Sequence, residues 1–141
     1  MITASSLSAT TETTEQFVLF EYMYRDGGNF KANGTVVLVG SLSELQEKSI
    51  RNAFECDGLF IAEQINLPPL YEKLYNWSNG PISLDHCWHE FVGMARNPSL
   101  SARNEIEIWG NASDFWQIVT QVRTWDGSLS PHYLGVQAAR N

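Results

Sequence analysis

Two runs, Phe17 to Tyr24 and Thr35 to Val39, constrain this chain more than any other feature. The first is aromatic and aliphatic, with Glu21 as its one charge, which fits a largely buried strand. The second is Thr35-Val36-Val37-Leu38-Val39, a β-branched run that reads as a central strand covered on both faces. Between them, Arg25-Asp26-Gly27-Gly28-Asn29 supplies turn chemistry, because glycine reaches positive φ freely and Asp and Asn bond their own backbone. An antiparallel hairpin with a long polar connection follows, and the rest of the chain must pack around it.

Ser41-Leu42-Ser43-Glu44 reads as a capping box that starts a helix, with Leu42, Leu45, Ile50, Ala53 and Phe54 on one face. Gly58 to Ala62 is expected to form a short strand. Leu67, Leu70, Tyr71, Leu74 and Tyr75 recur at helical spacing behind Pro68 and Pro69, so a short helix is expected there. Residues His86 to Ala95 fit either a helical face or a strand; Gly93 and Pro98 favour the strand. Glu105-Ile106-Glu107-Ile108-Trp109 alternates, which predicts a half-buried strand with both glutamates in solvent and both isoleucines inward. Phe115, Ile118, Val119 and Val122 form the stripe of a further helix, capped by Asn111 or Ser113. The tail from Ser128 reads as irregular. Together these elements predict an α+β, two-layer domain: a mainly antiparallel sheet of about four to five strands with two to three helices packed on it.

At 141 residues with 43% hydrophobic side chains, the chain is long enough for one domain with a real core. A flexible arm is expected over residues 1–15, which are rich in Ser, Thr and Ala, and a single domain over 16–141. Five tryptophans serve either a core or a contact surface. The formal net charge of -7 disfavours nucleic acid and anionic membranes, both of which repel carboxylates, and would attract a basic protein partner. Cys56 and Cys87 form no spaced motif and read as free thiols. The opening residues lack the basic start and apolar run of a secretory signal, and no run has the length of a membrane span. A cytoplasmic location is the expectation.

Chemistry concentrates in Asp85-His86-Cys87-Trp88-His89-Glu90-Phe91. On a helix, His86, His89 and Glu90 would share one face and could ligate a divalent metal such as zinc, with Asp85 or Glu90 as the acid–base group. Asp26, Asp57 and His132 are the candidates for a distant further ligand. On a strand, the two histidines point apart and the local site fails. The competing reading is structural, a carboxylate orienting a partly buried histidine beside Trp88. Cys87 as a nucleophile needs an exposed, electropositive setting, and a Ser–His pair from Ser128 or Ser130 with His132 lacks any nucleophile elbow.

The turn Tyr24 to Lys31 is the second candidate. Arg25 and Lys31 could hold an anion with loop amides as added donors, and Asp26, Asn29 and Trp88 complete the set of candidate binding residues. The structural alternative is a hairpin connection in which Arg25 pairs with a carboxylate. Tyr24-Arg25-Asp26, Asn29-Phe30-Lys31, Gly34, Leu67-Pro68 and Trp88-His89-Glu90-Phe91 resemble the landmarks of a family of small uncharacterised bacterial proteins, over Phe17 to Phe91. The resemblance implies a bacterial cytoplasmic protein with no assigned activity. Two functions are therefore weighed. One is a non-enzymatic binding or protein-interaction domain of immunity type, without a cofactor; the other is a metal-dependent hydrolase built on His86, His89 and Glu90.

Overall fold

In the computed structural model the described residues are 16–56, 58–77, 80–83, 85–98 and 106–140. The expected arm at 1–15, together with Asp57 and Glu105, lies outside them. Among the described residues five strands form one sheet: β1 (Phe17–Arg25), β2 (Lys31–Val39), β3 (Leu59–Phe60), β4 (His89–Arg96) and β5 (Glu107–Asn111), in the order β3-β4-β1-β2-β5. Three α-helices, α1 (Glu44–Ala53), α2 (Ala112–Gln121) and α3 (Tyr133–Arg140), pack against it, with short 3-10 segments at Ala62–Ile65, Tyr71–Trp77 and Gly127–Leu129. The architecture is α+β. The pairings of β1 with β2, β1 with β4 and β3 with β4 are antiparallel, whereas β5 lies parallel to β2, so the sheet is mixed.

The two opening runs become β1 and β2, and β1 takes the centre of the sheet. Phe17 pairs with Val39 and Arg25 with Lys31 without a slip, so the connection shrinks to five residues, 26–30. It is tighter than expected because β2 begins at Lys31 and not after Gly34. Gly34 sits inside the strand for a steric reason: a Cβ there would come within 2.9 Å of Leu70 and 3.0 Å of the Tyr22 ring.

One face of the sheet carries the core. Val18, Phe20, Tyr22 and Tyr24 of β1 and Val36 and Leu38 of β2 are buried there. Phe20 lies 4.9–6.2 Å, ring centre to ring centre, from Phe54, Phe60, Phe91 and Phe115. Truncating such a ring to alanine costs about 3–5 kcal/mol, so this cluster is the main support of the fold. Three tryptophans are staples as well as filler. Trp109 Nε1 donates to the Ile65 carbonyl at 3.1 Å, Trp116 Nε1 to Ser49 Oγ at 2.7 Å, and Trp125 Nε1 to the Ala53 carbonyl at 2.8 Å.

Four local expectations change. The N-cap of α1 is Ser43, not Ser41: Ser43 Oγ accepts the Gln46 N–H at 3.0 Å while Gln46 Oε1 accepts the Ser43 N–H at 2.9 Å. Starting the helix two residues later turns Leu45 into solvent, 79% exposed, while Leu42 before the cap stays buried. The 67–75 helix is a 3-10 helix over Tyr71–Trp77. Ile108 is 71% exposed because it pairs with Val37 on the sheet face away from the core, while Trp109, the extra residue where the register shifts, packs against the core. The tail is helical, not irregular. Gly135 weakens the helical signal there, yet its missing Cβ, which would stand 2.9 Å from Pro81, is what lets α3 settle. Among the described residues no helix is long and apolar enough to cross a membrane.

Candidate functional site

The 85–91 segment is not helical: residues 85–88 are irregular with a bend at Cys87, and β4 starts at His89. Strand geometry sends neighbouring side chains to opposite faces, so the cluster is divided as it enters the sheet. His89 points into the core and is fully buried; its Nε2 accepts the Leu70 N–H at 2.9 Å. Glu90 points the other way and meets the Arg25 guanidinium, Nε to Oε2, at 3.2 Å. His86 lies before the strand. Its Nδ1 accepts the Trp88 N–H at 3.0 Å and its Nε2 lies 2.6 Å from the Arg25 carbonyl, so the hydrogen is on Nε2. His86, His89 and Glu90 are therefore not brought together, and the expected three-ligand site does not form. No group of three or more His, Cys, Asp or Glu among the described residues is placed to hold a metal ion.

Asp85 is buried, with Oδ1 accepting from the Tyr24 hydroxyl and Oδ2 from the Ile82 N–H at 2.8 Å. Arg140, reaching over from α3, donates to the Asp85 carbonyl at 2.7 Å. Tyr24 OH also accepts the His86 N–H at 3.2 Å. Burial, then the bond to Asp85, pushes the Tyr24 hydroxyl well above the usual phenol range, which keeps it a donor.

A second polar group adjoins the first, in which Glu63, Tyr71 and Tyr75 meet Ser130 and His132 through hydrogen bonds that span 57–67 positions in sequence. Glu63 Oε2 accepts from Tyr71 OH at 2.6 Å and from Ser130 Oγ at 2.8 Å. His132 stacks on Tyr71 with ring centres 3.6 Å apart, and its Nδ1 shares a hydrogen bond with Tyr75 OH. Ser130 Oγ accepts the His132 backbone N–H at 3.2 Å and does not meet the imidazole, so the Ser–His pairing is a turn, not a nucleophile and base. Burial lowers the basicity of both inner histidines. The His89 pKa falls to about 3 and His132 shifts in the same direction against the pull of Asp85 and Glu63. Cys87 is buried and its thiol is pushed up, chiefly by desolvation, which opposes a nucleophilic role. The cluster meets solvent at a shallow cleft of about 270 Å³ lined by His86, Cys87, Trp88, Ser128 and Arg140.

The hairpin turn is closed on itself. Asp26 is buried and its Oδ1 accepts the N–H groups of Gly28 at 2.8 Å and Phe30 at 3.0 Å. Those are the amides an anion would have needed, so the nest is already filled by a carboxylate. Arg25 is held by Glu90 and by Asn29 Oδ1 at 2.8 Å, leaving Lys31 exposed and without the partner group expected of it. Sequence reasoning missed Glu63, Tyr71 and Tyr75 as members of the polar core, and weighed His132 only as a distant metal ligand or as the partner of Ser128 or Ser130 in a Ser–His pair. Their spacing carries no signal, since each is recruited by tertiary packing.

No protein-family model, curated protein or solved structure matches this chain.

Proposed function

We propose that this chain is a protein-interaction domain without a catalytic role, which takes a basic protein partner in the manner of an immunity-type protein. The observation that carries the reading is the inward closure of the polar cluster. Asp85, His86 and His89 each hold a backbone or core side chain in place, so the groups a reaction would draw on act as braces. The chain's other strong property is its net charge of -7, carried outward by exposed carboxylates such as Glu44, Glu55, Glu72 and Asp114. Charge of one sign steers an oppositely charged partner and speeds encounter. The hydrolase reading has no comparable support, since His86, His89 and Glu90 face different ways.

The test is capture from a bacterial lysate on the immobilised chain, in low and in high salt, followed by titration of the purified partner. A basic protein is expected, bound less tightly as salt screens the charges. Recovery of no partner at any ionic strength defeats the proposal.

A further inference from the structure

The face of the sheet opposite the core carries an apolar row that crosses four strands. Ala95 of β4, Leu19 of β1, Val37 of β2 and Ile108 of β5 stand side by side in register. Leu19 and Val37 are buried, at 0% and 8% exposure, while Ile108 at the end of the row is 71% exposed. Beyond Ile108 the sheet stops. Strand β5 pairs with β2 on one side, and among the described residues no strand pairs with the other. The opposite edge differs, because β3 is only two residues long. Glu107-Ile108-Trp109-Gly110-Asn111 contains neither Pro nor Lys, the residues that commonly guard an edge.

The surroundings of that edge are acidic. Glu107 is exposed on β5 itself, and Asp114, in the first turn of α2, lines a groove of about 450 Å³ with Trp109, Gly110 and Gln117. One cation among the described residues, Lys73, shares a cleft with Glu107, but its Nζ donates to the Asn33 carbonyl at 3.2 Å.

We propose that the outer edge of β5 is the docking site for an extended segment of a basic protein, which adds to the sheet as a further strand. The segment pairs its backbone with β5, lays an apolar side chain on Ile108 and directs a Lys or Arg towards Glu107 or Asp114. Strand addition of this kind draws affinity from main-chain hydrogen bonds and selectivity from alternate side chains. A second copy of the chain is the poorer occupant. Antiparallel pairing of two β5 strands about Ile108 would bring two Glu107 carboxylates onto one short ladder, between chains each carrying -7. This inference rests on the interaction reading above and names its surface.

Backbone amide exchange followed by NMR tests it, with a short synthetic peptide of alternating Val and Lys as the probe and its Val–Glu counterpart as the control. The Val–Lys peptide is expected to slow exchange across Ile108 to Asn111 by about tenfold or more, and the control to leave it unchanged. The Ile108→Lys variant, altered at an exposed side chain, should fold normally and lose that protection. A double variant, Glu107→Lys with Asp114→Lys, should exchange its preference to the Val–Glu peptide. Protection elsewhere on the chain, or none with either peptide, overturns the site. Protection of β5 that rises with protein concentration in the absence of peptide overturns the choice of occupant. A lysate partner that binds wild type and Ile108→Lys equally overturns the edge and leaves the interaction reading standing. Val–Lys protection at β5 with no partner in any lysate has the opposite meaning.

Discussion

His89 Nε2 accepts the backbone N–H of Leu70 at 2.9 Å, with the imidazole wholly buried. The bond joins β4 to the residue just ahead of the Tyr71–Trp77 helix, and it requires an unprotonated ring nitrogen. Burial, reinforced by neighbouring His86, lowers the His89 pKa from 6.5 to about 3. Between those two values the unfolded chain binds a proton that the folded chain refuses. Stability is therefore complete above pH 6.5 and falls as pH drops towards 3, with a slope from this group of up to about 1.4 kcal/mol per pH unit. Thermal melts from pH 7 to 3.5 on wild type and His89→Gln check this. The variant, whose amide oxygen can still accept from Leu70, should show the shallower acid dependence. Equal slopes would mean that His89 does not titrate this way.

Tyr24 and Asp85 make a second brace, between β1 and the segment leading into β4. Tyr24→Phe removes the donor to Asp85 Oδ1 and the acceptor of the His86 N–H, leaving buried polar groups unmet. A loss of about 1–3 kcal/mol is expected in urea titration, with an unchanged m-value. A loss within error would show that water replaces the hydroxyl.

Gly34 tests the packing of β2. Gly34→Ala sets a Cβ within 2.9 Å of Leu70 and 3.0 Å of the Tyr22 ring, and Tyr22 is buried with its hydroxyl bonded to the Pro68 carbonyl at 2.6 Å. Overpacking of this size costs about 1–3 kcal/mol, so the melting temperature should fall. Gly93→Ala is the matched control, since nothing lies within 4 Å of its added Cβ.

The two cysteines should differ sharply. Cys56 is exposed, whereas Cys87 is buried with its thiol pushed up by desolvation. Reaction with a thiol reagent at neutral pH should modify Cys56 quickly and Cys87 only on unfolding. Rapid modification of both in the native protein would show that the cleft over Cys87 opens.

A chelator should leave the melting curve unchanged, because no described set of side chains converges on a metal. A ligand bound only to the folded state must stabilise it, so a lower melting temperature with chelator would reinstate a metal site.

The strands and helices written in local periodicity were legible from the chain alone. The β-branched Thr35 to Val39 run, the Phe17 to Tyr24 run and the Phe115, Val119 stripe needed no partners to declare their secondary structure. Even there the burial of single residues was not legible. Leu45 and Ile108 have the right character for a core, but the choice of Ser43 as cap and the pairing of Ile108 with Val37 on the outer face leave them facing solvent.

The sequence by itself determined an acidic α+β domain with two buried strands and one polar cluster, because composition and short-range periodicity set those properties locally. Tertiary structure alone decided the sheet order, the parallel seating of β5 and the helix in the tail. It also decided the fate of the cluster. Strand geometry sends His89 inward and Glu90 outward to Arg25, while Glu63, Tyr71, Tyr75 and His132 arrive from distant positions. Such groups meet only when hydrophobic burial brings their elements together, and buried polar atoms then take whatever partners packing supplies.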